Sequence, residues 1–161
     1  MLGFSKLKYG VGAVLVARLL CGSGVAQTPP PLSLTARGGL SFGSWSGSGA
    51  KESTADLCVY NSSDGSYNIR AENSIGSAFR MTLGGDELAY YVDFRNSTSG
   101  SFTALTHGQS QFFSSGADTA SETCSGSSNA SVRVRILEAD LGGARPGLYS
   151  ATLVLTLLAG A

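Results

Sequence analysis

Short stretches of alternating apolar and polar residues cover most of the chain after residue 31. In the clearest one, Val132, Val134 and Ile136 alternate with serine and arginine. A period of two is typical of strands that bury one face. Similar patterns predict strands over 32–36, 40–42, 57–60, 67–71, 79–83, 88–94, 109–113, 131–136 and 148–158, with a helical turn near 137–141.

Turn-forming residues separate these stretches. Asp64-Gly65 is a strong hairpin signal, and Gly84-Gly85-Asp86 interrupts the pattern again. Many short strands between such turns favour an all-β sandwich. A barrel is the alternative, but the strand spacing is uneven. We therefore interpret residues 32–161 as one β-sandwich domain.

The first 26 residues follow a different pattern. Lys6 and Lys8 precede an apolar run over 11–20, and small residues follow it. This order predicts a secretory signal peptide over 1–26, cleaved between Ala26 and Gln27. The protein is therefore expected to be exported.

Two alternatives to a cleaved signal peptide fit the sequence less well. The apolar run is shorter than the roughly 20 residues that a transmembrane helix needs, which counts against an uncleaved anchor. A lipoprotein would carry its lipid on Cys21, but the bulky Leu20 stands before it. After cleavage, residues 27–31 would form an extended Pro-rich leader, and contact with the membrane would be transient, during export.

Cleavage changes the charge of the chain. The whole sequence has 11 basic and 11 acidic residues, and the predicted signal peptide removes three basic residues and no acid. The mature chain is then mildly acidic and has no basic cluster. Nucleic acid is not expected as a partner, because neutralising phosphates requires grouped lysine and arginine.

Cys58 and Cys124 are the cysteines that stay after cleavage. In an oxidising compartment two cysteines most simply pair with each other. A metal site is the alternative, and His107 is the single histidine that could join it. That set is short of ligands, so we expect a disulfide, with no metal and no cofactor.

Residues that could carry catalysis are few. His107 lies in a predicted loop, where no nucleophile and orienting acid can be assigned to it. The acid pairs Asp86-Glu87 and Glu138/Asp140 have the composition that glycosidases use, but solvated turn residues often look the same. We therefore expect no enzymatic activity.

Four aromatic residues suggest carbohydrate binding as a different function. Trp45, Tyr60, Tyr90 and Tyr91 could form a surface that stacks on sugars, although aromatic side chains of β-sandwiches more often fill the core. A self-contained secreted module that binds glycans is the alternative function.

The last predicted strand has one wholly apolar face. Tyr149, Ala151, Leu153, Leu155 and Leu157 lie on it, and the sequence ends three residues after the strand. We expect no later strand beside it, and an apolar strand with an open edge is prone to aggregation. Either an internal strand covers the edge, or another polypeptide does so by strand addition.

Several short motifs follow one another in a defined order between about residues 34 and 158. They are Leu40-Ser41-Phe42-Gly43, Leu57-Cys58-Val59-Tyr60, Tyr67-Asn68-Ile69, Phe79-Arg80-Met81, Leu88-Ala89-Tyr90-Tyr91-Val92 and Gly147-Leu148-Tyr149. In order and spacing they resemble the spore-coat-U type domain found in subunits of archaic (Csu-type) chaperone–usher pili.

This resemblance implies an immunoglobulin-like sandwich that lacks its last strand. A periplasmic chaperone lends a strand to such a subunit, and a neighbouring pilus subunit later replaces it at an outer-membrane usher. The apolar face of the last strand would line the acceptor groove. The resemblance implies a structural protein that passes through the periplasm to a surface fibre used in adhesion or biofilm formation.

The sequence departs from the family in two ways. Family members often carry a cysteine near the start of the domain, and residues 32–40 contain none. The donor segment is also short, because the five residues over 27–31 include three prolines, which cannot supply ladder N–H groups. Either 32–36 is itself the donor strand, or the subunit accepts a strand and donates none, as a tip or minor component would.

Overall fold

The computed structural model describes residues 32–160 and a short strand at Leu7–Tyr9. In this part of the chain nearly all regular structure is β, with one short helix, α1 (Glu138–Gly143), and a 3₁₀ turn at Cys124–Gly126. The strands are β1 (Leu7–Tyr9), β2 (Leu32–Arg37), β3 (Gly43–Trp45), β4 (Lys51–Asn61), β5 (Tyr67–Asn73), β6 (Arg80–Leu83), β7 (Asp86–Ala89), β8 (Tyr91–Arg95), β9 (Thr103–Leu105), β10 (Ser110–Phe113), β11 (Ala130–Ile136) and β12 (Leu153–Ala159).

Two antiparallel sheets form the domain. A five-stranded sheet has the order β2-β4-β11-β8-β9, and a three-stranded sheet has the order β10-β5-β12. The two-stranded sheets β6-β7 and β1-β3 complete the set among the described residues. The two larger sheets enclose one apolar core, which confirms the predicted all-β sandwich.

The strand order is that of an immunoglobulin domain with one position open. β2, β4, β11 and β8 follow the order of strands A, B, E and D, while β5 and β12 take the places of C and F. In the described part of the chain, no strand takes the place of G beside β12.

Alternation along β11 shows how the sequence builds the core. Val132, Val134 and Ile136 are at most 1% exposed, as the pattern predicted, while Arg133 and Arg135 lie on the outer face. Burying such a branched aliphatic side chain stabilises a fold by about 1.5–3 kcal/mol. β11 pairs with β4 on one side and β8 on the other, so its inner face anchors the centre of the sheet.

The strand predicted over 57–60 begins earlier, at Lys51, and the one predicted over 148–158 begins later, at Leu153. Two further predicted strands differ more deeply. The run over 88–94 is divided at Tyr90, where the chain leaves the β6-β7 hairpin and enters the five-stranded sheet as β8. Residues 40–42 lie outside any strand, although Leu40 and Phe42 are buried in the core. In both places the alternation of apolar residues predicts correctly which side chains are buried. Which residues form strand pairs depends on the neighbouring strands.

The disulfide forms as expected. Cys58 of β4 and Cys124 are joined with a Cα–Cα distance of 5.8 Å. Cys58 alternates with the core-facing Leu57 and Val59, so its side chain lies on the outer face of the five-stranded sheet. The bond therefore fastens the 114–129 segment onto one sheet and does not connect the two sheets.

The same segment continues the hydrogen bonding of β4 beyond β11. The side-chain amide of Asn129 accepts from the N–H of Val59 and donates to its C=O, both at 2.8 Å. Asp118 then bonds through its main chain to Val59 and Asn61, at 2.9 and 3.0 Å. These bonds occupy the edge of β4 that β11 leaves free.

A buried carboxylate holds the outer face of the same sheet. Asp93 of β8 is 3% exposed and accepts hydrogen bonds from the guanidinium groups of Arg133 (3.1 Å) and Arg135 (2.6 Å) on β11. The hydrogen bond to Asp93 raises the pKa of Arg135 above its ordinary value, so this guanidinium is held in its charged form. The three side chains couple β8 to β11.

Several expectations about the N-terminus fall on residues outside the described part of the chain. The cleavage position at Ala26 and Gln27 and the 27–31 leader lie there, so the signal peptide stays a prediction. None of the described residues belongs to a helix with the length and hydrophobicity needed to span a bilayer.

Replacing both cysteines, as Cys58→Ala with Cys124→Ala, should lower the free energy of unfolding by about 4 kcal/mol, because the bond closes a long loop in the unfolded chain across 66 residues. Urea unfolding followed by tryptophan fluorescence measures the loss. An unchanged unfolding midpoint would show that the bond does not constrain the unfolded chain.

Asp93→Asn should destabilise the domain by about 2 kcal/mol, because it leaves two arginines without their buried charge partner. The expected loss of stability is smaller than for a fully buried ion pair, because the side chains of Arg133 and Arg135 are 26% and 34% exposed. Asp86→Asn is the control, because Asp86 pairs with the exposed Arg145 and such pairs contribute little. Equal unfolding midpoints for the two variants would contradict this expectation.

Candidate functional site: an open sheet edge

The predicted apolar face of the last strand lies in the core. Tyr149, Leu153 and Leu155 are at most 1% exposed, Leu157 is 6% exposed and Ala151 is half-buried. The structure thus brings together all five residues of the predicted acceptor face, along one strand and the segment before it.

Main-chain hydrogen bonds show which edge of this strand is paired. The N–H of Ser74 donates to the C=O of Thr152 at 2.9 Å, and Ser150 exchanges two bonds with Thr82, at 3.0 and 3.2 Å. Alternate residues of a strand direct their N–H and C=O groups to the same edge. The even-numbered residues from Ser150 onward therefore face β5 and the hairpin that follows it.

The odd-numbered residues have the opposite orientation. Leu153, Leu155 and Leu157 send their side chains into the core, and their main-chain groups point to the edge away from β5. Among residues 32–160 no strand and no side chain makes a hydrogen bond to these groups at that edge. This edge of β12 is open to another strand.

β2 presents a second open edge. On β4, Val59 and Asn61 bond to the 114–129 segment, so the residues that alternate with them face β2. Cys58 is paired in register with Thr35, which directs the main chain of Thr35 toward β4. The residues of β2 with the opposite orientation, and with side chains toward the core, are Leu32, Leu34 and Ala36.

Both open edges lie on one side of the sandwich. β2 and β12 contact each other across the interior. The other side is closed by the chain, because residues 106–109 connect β9 in one sheet to β10 in the other. We call the boundary between β2 and β12 the seam. A strand added there could bond to both sheets.

The seam is packed and does not form a trench. Leu34 is 7% exposed and Leu155 is fully buried, so aliphatic side chains from the two strands already close the interior. What the seam offers to a partner is unpaired main chain above an apolar layer. Inserting apolar side chains would require β2 and β12 to move apart.

Three of the residues considered for catalysis, His107, Asp86 and Glu87, make structural contacts, while Asp140 of the other acid pair has a buried carboxylate oxygen without a hydrogen-bond partner among the described residues. The Nε2 atom of His107 accepts the N–H of Asn73 at 3.0 Å, and its ring packs against Phe79. Asp86 pairs with Arg145 and Glu87 with Arg80, at 3.4 and 3.8 Å. Each of these side chains fastens a loop or hairpin to its neighbour.

The aromatic residues considered for sugar stacking do not share a surface. Tyr90 is 4% exposed and packs against Phe79, and burial raises the pKa of its hydroxyl. Tyr91 is 42% exposed, on the outer face of β8. Trp45 donates from its indole to the C=O of Gly49 and packs against the core. This arrangement does not support the alternative of a shared stacking surface, and burial of Tyr90 agrees with the more common packing of aromatic residues in the core.

Sequence reasoning assigned the acceptor role to the last strand alone. The edge of β2 belongs to the same site, and its signal was present in the alternation of Leu32, Leu34 and Ala36. The orientation of its main chain could not be read from that pattern, because it depends on the register with β4.

Comparisons with known proteins address the fold. No family model and no curated protein matches the sequence, so the resemblance to the spore-coat-U family stays an expectation. A chain of the solved structure reported as "Chaperone-tip adhesin complex is vital for synergistic activation of CFA/I fimbriae biogenesis" is similar, with a TM-score of 0.53 and 16% identity. The match covers 83% of this chain and 42% of that chain, and it shows a shared fold.

Amide hydrogen exchange should alternate along β12 in the chain refolded without a partner at a concentration low enough to limit aggregation. The amides of Leu153, Leu155 and Leu157 should exchange fast, because their N–H groups face the open edge, while those of Val154 and Thr156 should be protected. Exchange read residue by residue by NMR tests this, with the even positions as internal controls. Uniform protection along the strand would mean that the edge is already paired.

Proposed function

We propose that this protein is a structural subunit of a surface pilus, completed by a strand that another polypeptide inserts at the seam. The open edge of β12 carries this proposal. Leu153, Leu155 and Leu157 combine free main-chain groups with side chains in the core, which is the arrangement that strand addition requires.

The structural neighbour supports the same role. It comes from a complex of a chaperone with a tip adhesin in fimbriae biogenesis, and it shares the sandwich architecture of this chain. In our proposal a periplasmic chaperone first occupies the seam. At the outer-membrane usher, a neighbouring pilus subunit then replaces the chaperone strand, and the fibre serves adhesion or biofilm formation.

The subunit accepts a strand and does not donate residues 32–36. β2 pairs with β4 along Leu32–Arg37, and its Leu34 contributes to the core. Releasing this strand as a donor would expose β4 and open the domain. This pairing supports a tip or minor position in the fibre.

The proposed role needs no chemistry from the side chains. His107, Asp86 and Glu87 are engaged in loop and hairpin contacts, which suit a structural role. The disulfide contributes by fixing the 114–129 segment against β4, next to the strand that carries one side of the seam.

Production of the full chain in a bacterial periplasm tests the proposal. Without a chaperone from its own genome, we expect degradation, aggregates or heat-sensitive multimers, and with it a soluble complex of one copy of each. Size-exclusion chromatography with light scattering distinguishes these states. A soluble monomer that accumulates as well without the chaperone as with it would contradict the need for an added strand.

Ala36→Pro should weaken chaperone binding about fivefold, because it removes an N–H from the open edge of β2, and one hydrogen bond contributes about 1 kcal/mol. Proline is tolerated where the N–H of an edge strand faces solvent, so the domain should stay folded. Thr35→Pro is the matched control, since it removes an N–H that faces β4 and should destabilise the domain itself. Unchanged binding by a folded Ala36→Pro variant would place the inserted strand elsewhere.

A further inference from the structure

A cavity of about 540 Å³ lies where the chain leaves the three-stranded sheet at the end of β5. β5 ends at Asn73, and residues 74–79 loop outward. The chain then returns as β6 and bonds to Ser150. The volume is within the usual range of small-ligand sites. The cavity opens on the outer face of the sheet, because the side chains of Ser150 and Thr152 alternate with the core-facing Leu153.

The floor of this cavity is a row of polar side chains. Glu87, Thr82 and Ser150 lie side by side on three neighbouring strands, since Thr82 is paired in register with both of the others. Arg80 stands two residues before Thr82 and approaches Glu87 at 3.8 Å, with 45% and 65% of the two side chains exposed. Hydroxyl, carboxylate and guanidinium groups are therefore all available to a ligand.

The wall of the cavity is held in place before any ligand arrives. The side-chain amide of Asn73 donates to the C=O groups of Ala78 (2.9 Å) and Arg80 (2.7 Å), and its oxygen accepts from Tyr90. His107 accepts the main-chain N–H of the same residue. A site fixed in this way loses little conformational entropy on binding.

The apolar part of the lining is small. Ile75 is 85% exposed at the rim, and Ala78 and Ala151 are the other aliphatic residues of the lining. They offer contact to a few C–H groups and no room for an extended apolar ligand. The one guanidinium is balanced by one carboxylate, so the cavity does not select for a charged molecule.

We propose that this cavity binds a neutral saccharide of one or two rings. Sugar hydroxyls both donate and accept, and they match a floor that presents Ser and Thr hydroxyls beside an acid and a guanidinium. The C–H face of a ring would lie against Ile75. The site is separate from the seam, since its polar side chains lie on the outer face and the added strand would bond at the far edge of β12.

Titration of the ¹⁵N-labelled full chain, recovered from the periplasm alone or with its chaperone, tests the proposal. Maltose, lactose and α-1,2-mannobiose are the neutral probes, and sialyllactose is the charged one. We expect at least one neutral disaccharide to shift the amides of residues 73–82 and 150–152 at millimolar concentration, and sialyllactose to bind more weakly.

Thr82→Val removes one hydroxyl from the floor of the cavity and keeps the shape of the side chain. It should weaken binding of that disaccharide about tenfold, because one polar group of the ligand is left without a hydrogen-bond partner. Thr54→Val is the matched control, at an exposed position of β4 in the other sheet, and should bind as the parent does. The proposal is overturned if no neutral probe shifts these amides, if sialyllactose binds more tightly, or if a folded Thr82→Val binds like the parent.

Discussion

The pairing of β12 with β5 determines which edge of β12 stays open and which of its side chains fill the core. It uses the even-numbered residues of β12 for hydrogen bonding and thereby directs the main chain of Leu153, Leu155 and Leu157 to the opposite edge. Because the same three residues fill the core with their side chains, one strand supplies both core packing and the open edge. A shift of register by one residue would exchange the two roles and expose the leucines.

Side-chain contacts outside the core reinforce the five-stranded sheet. Asp93 ties β8 to β11 on the outer face, and the disulfide with Asn129 ties the 114–129 segment to β4. All of these contacts lie within the five-stranded sheet. The two sheets are held together by the core and by chain connections such as 62–66 between β4 and β5 and 106–109 between β9 and β10, and at the seam no described strand pairs with both sheets.

The sequence predicted the elements where local pattern and final environment agree. β11 alternates strictly, and its inner residues are buried as expected. The polar first half of β4, Lys51–Asp56, carries no such signal, because its strand character comes from pairing with β11. The apolar run through Tyr90 hides a change of sheet, which depends on contacts distant in sequence. The core-facing residues of the last strand were identified from their pattern, but the open edges follow from register, which periodicity does not determine.

The packed seam constrains what a completing strand must supply. The side chains of Leu34 and Leu155 already exclude water, so a strand laid along the outside would contribute only main-chain hydrogen bonds, at about 1 kcal/mol each. A strand that enters between β2 and β12 must first separate these side chains, and the exposed aliphatic surface costs about 25 cal/mol per Å². A polar strand cannot offset that cost. The proposed strand addition would therefore require a strand with alternating apolar residues, inserted so that its side chains replace the contacts it breaks.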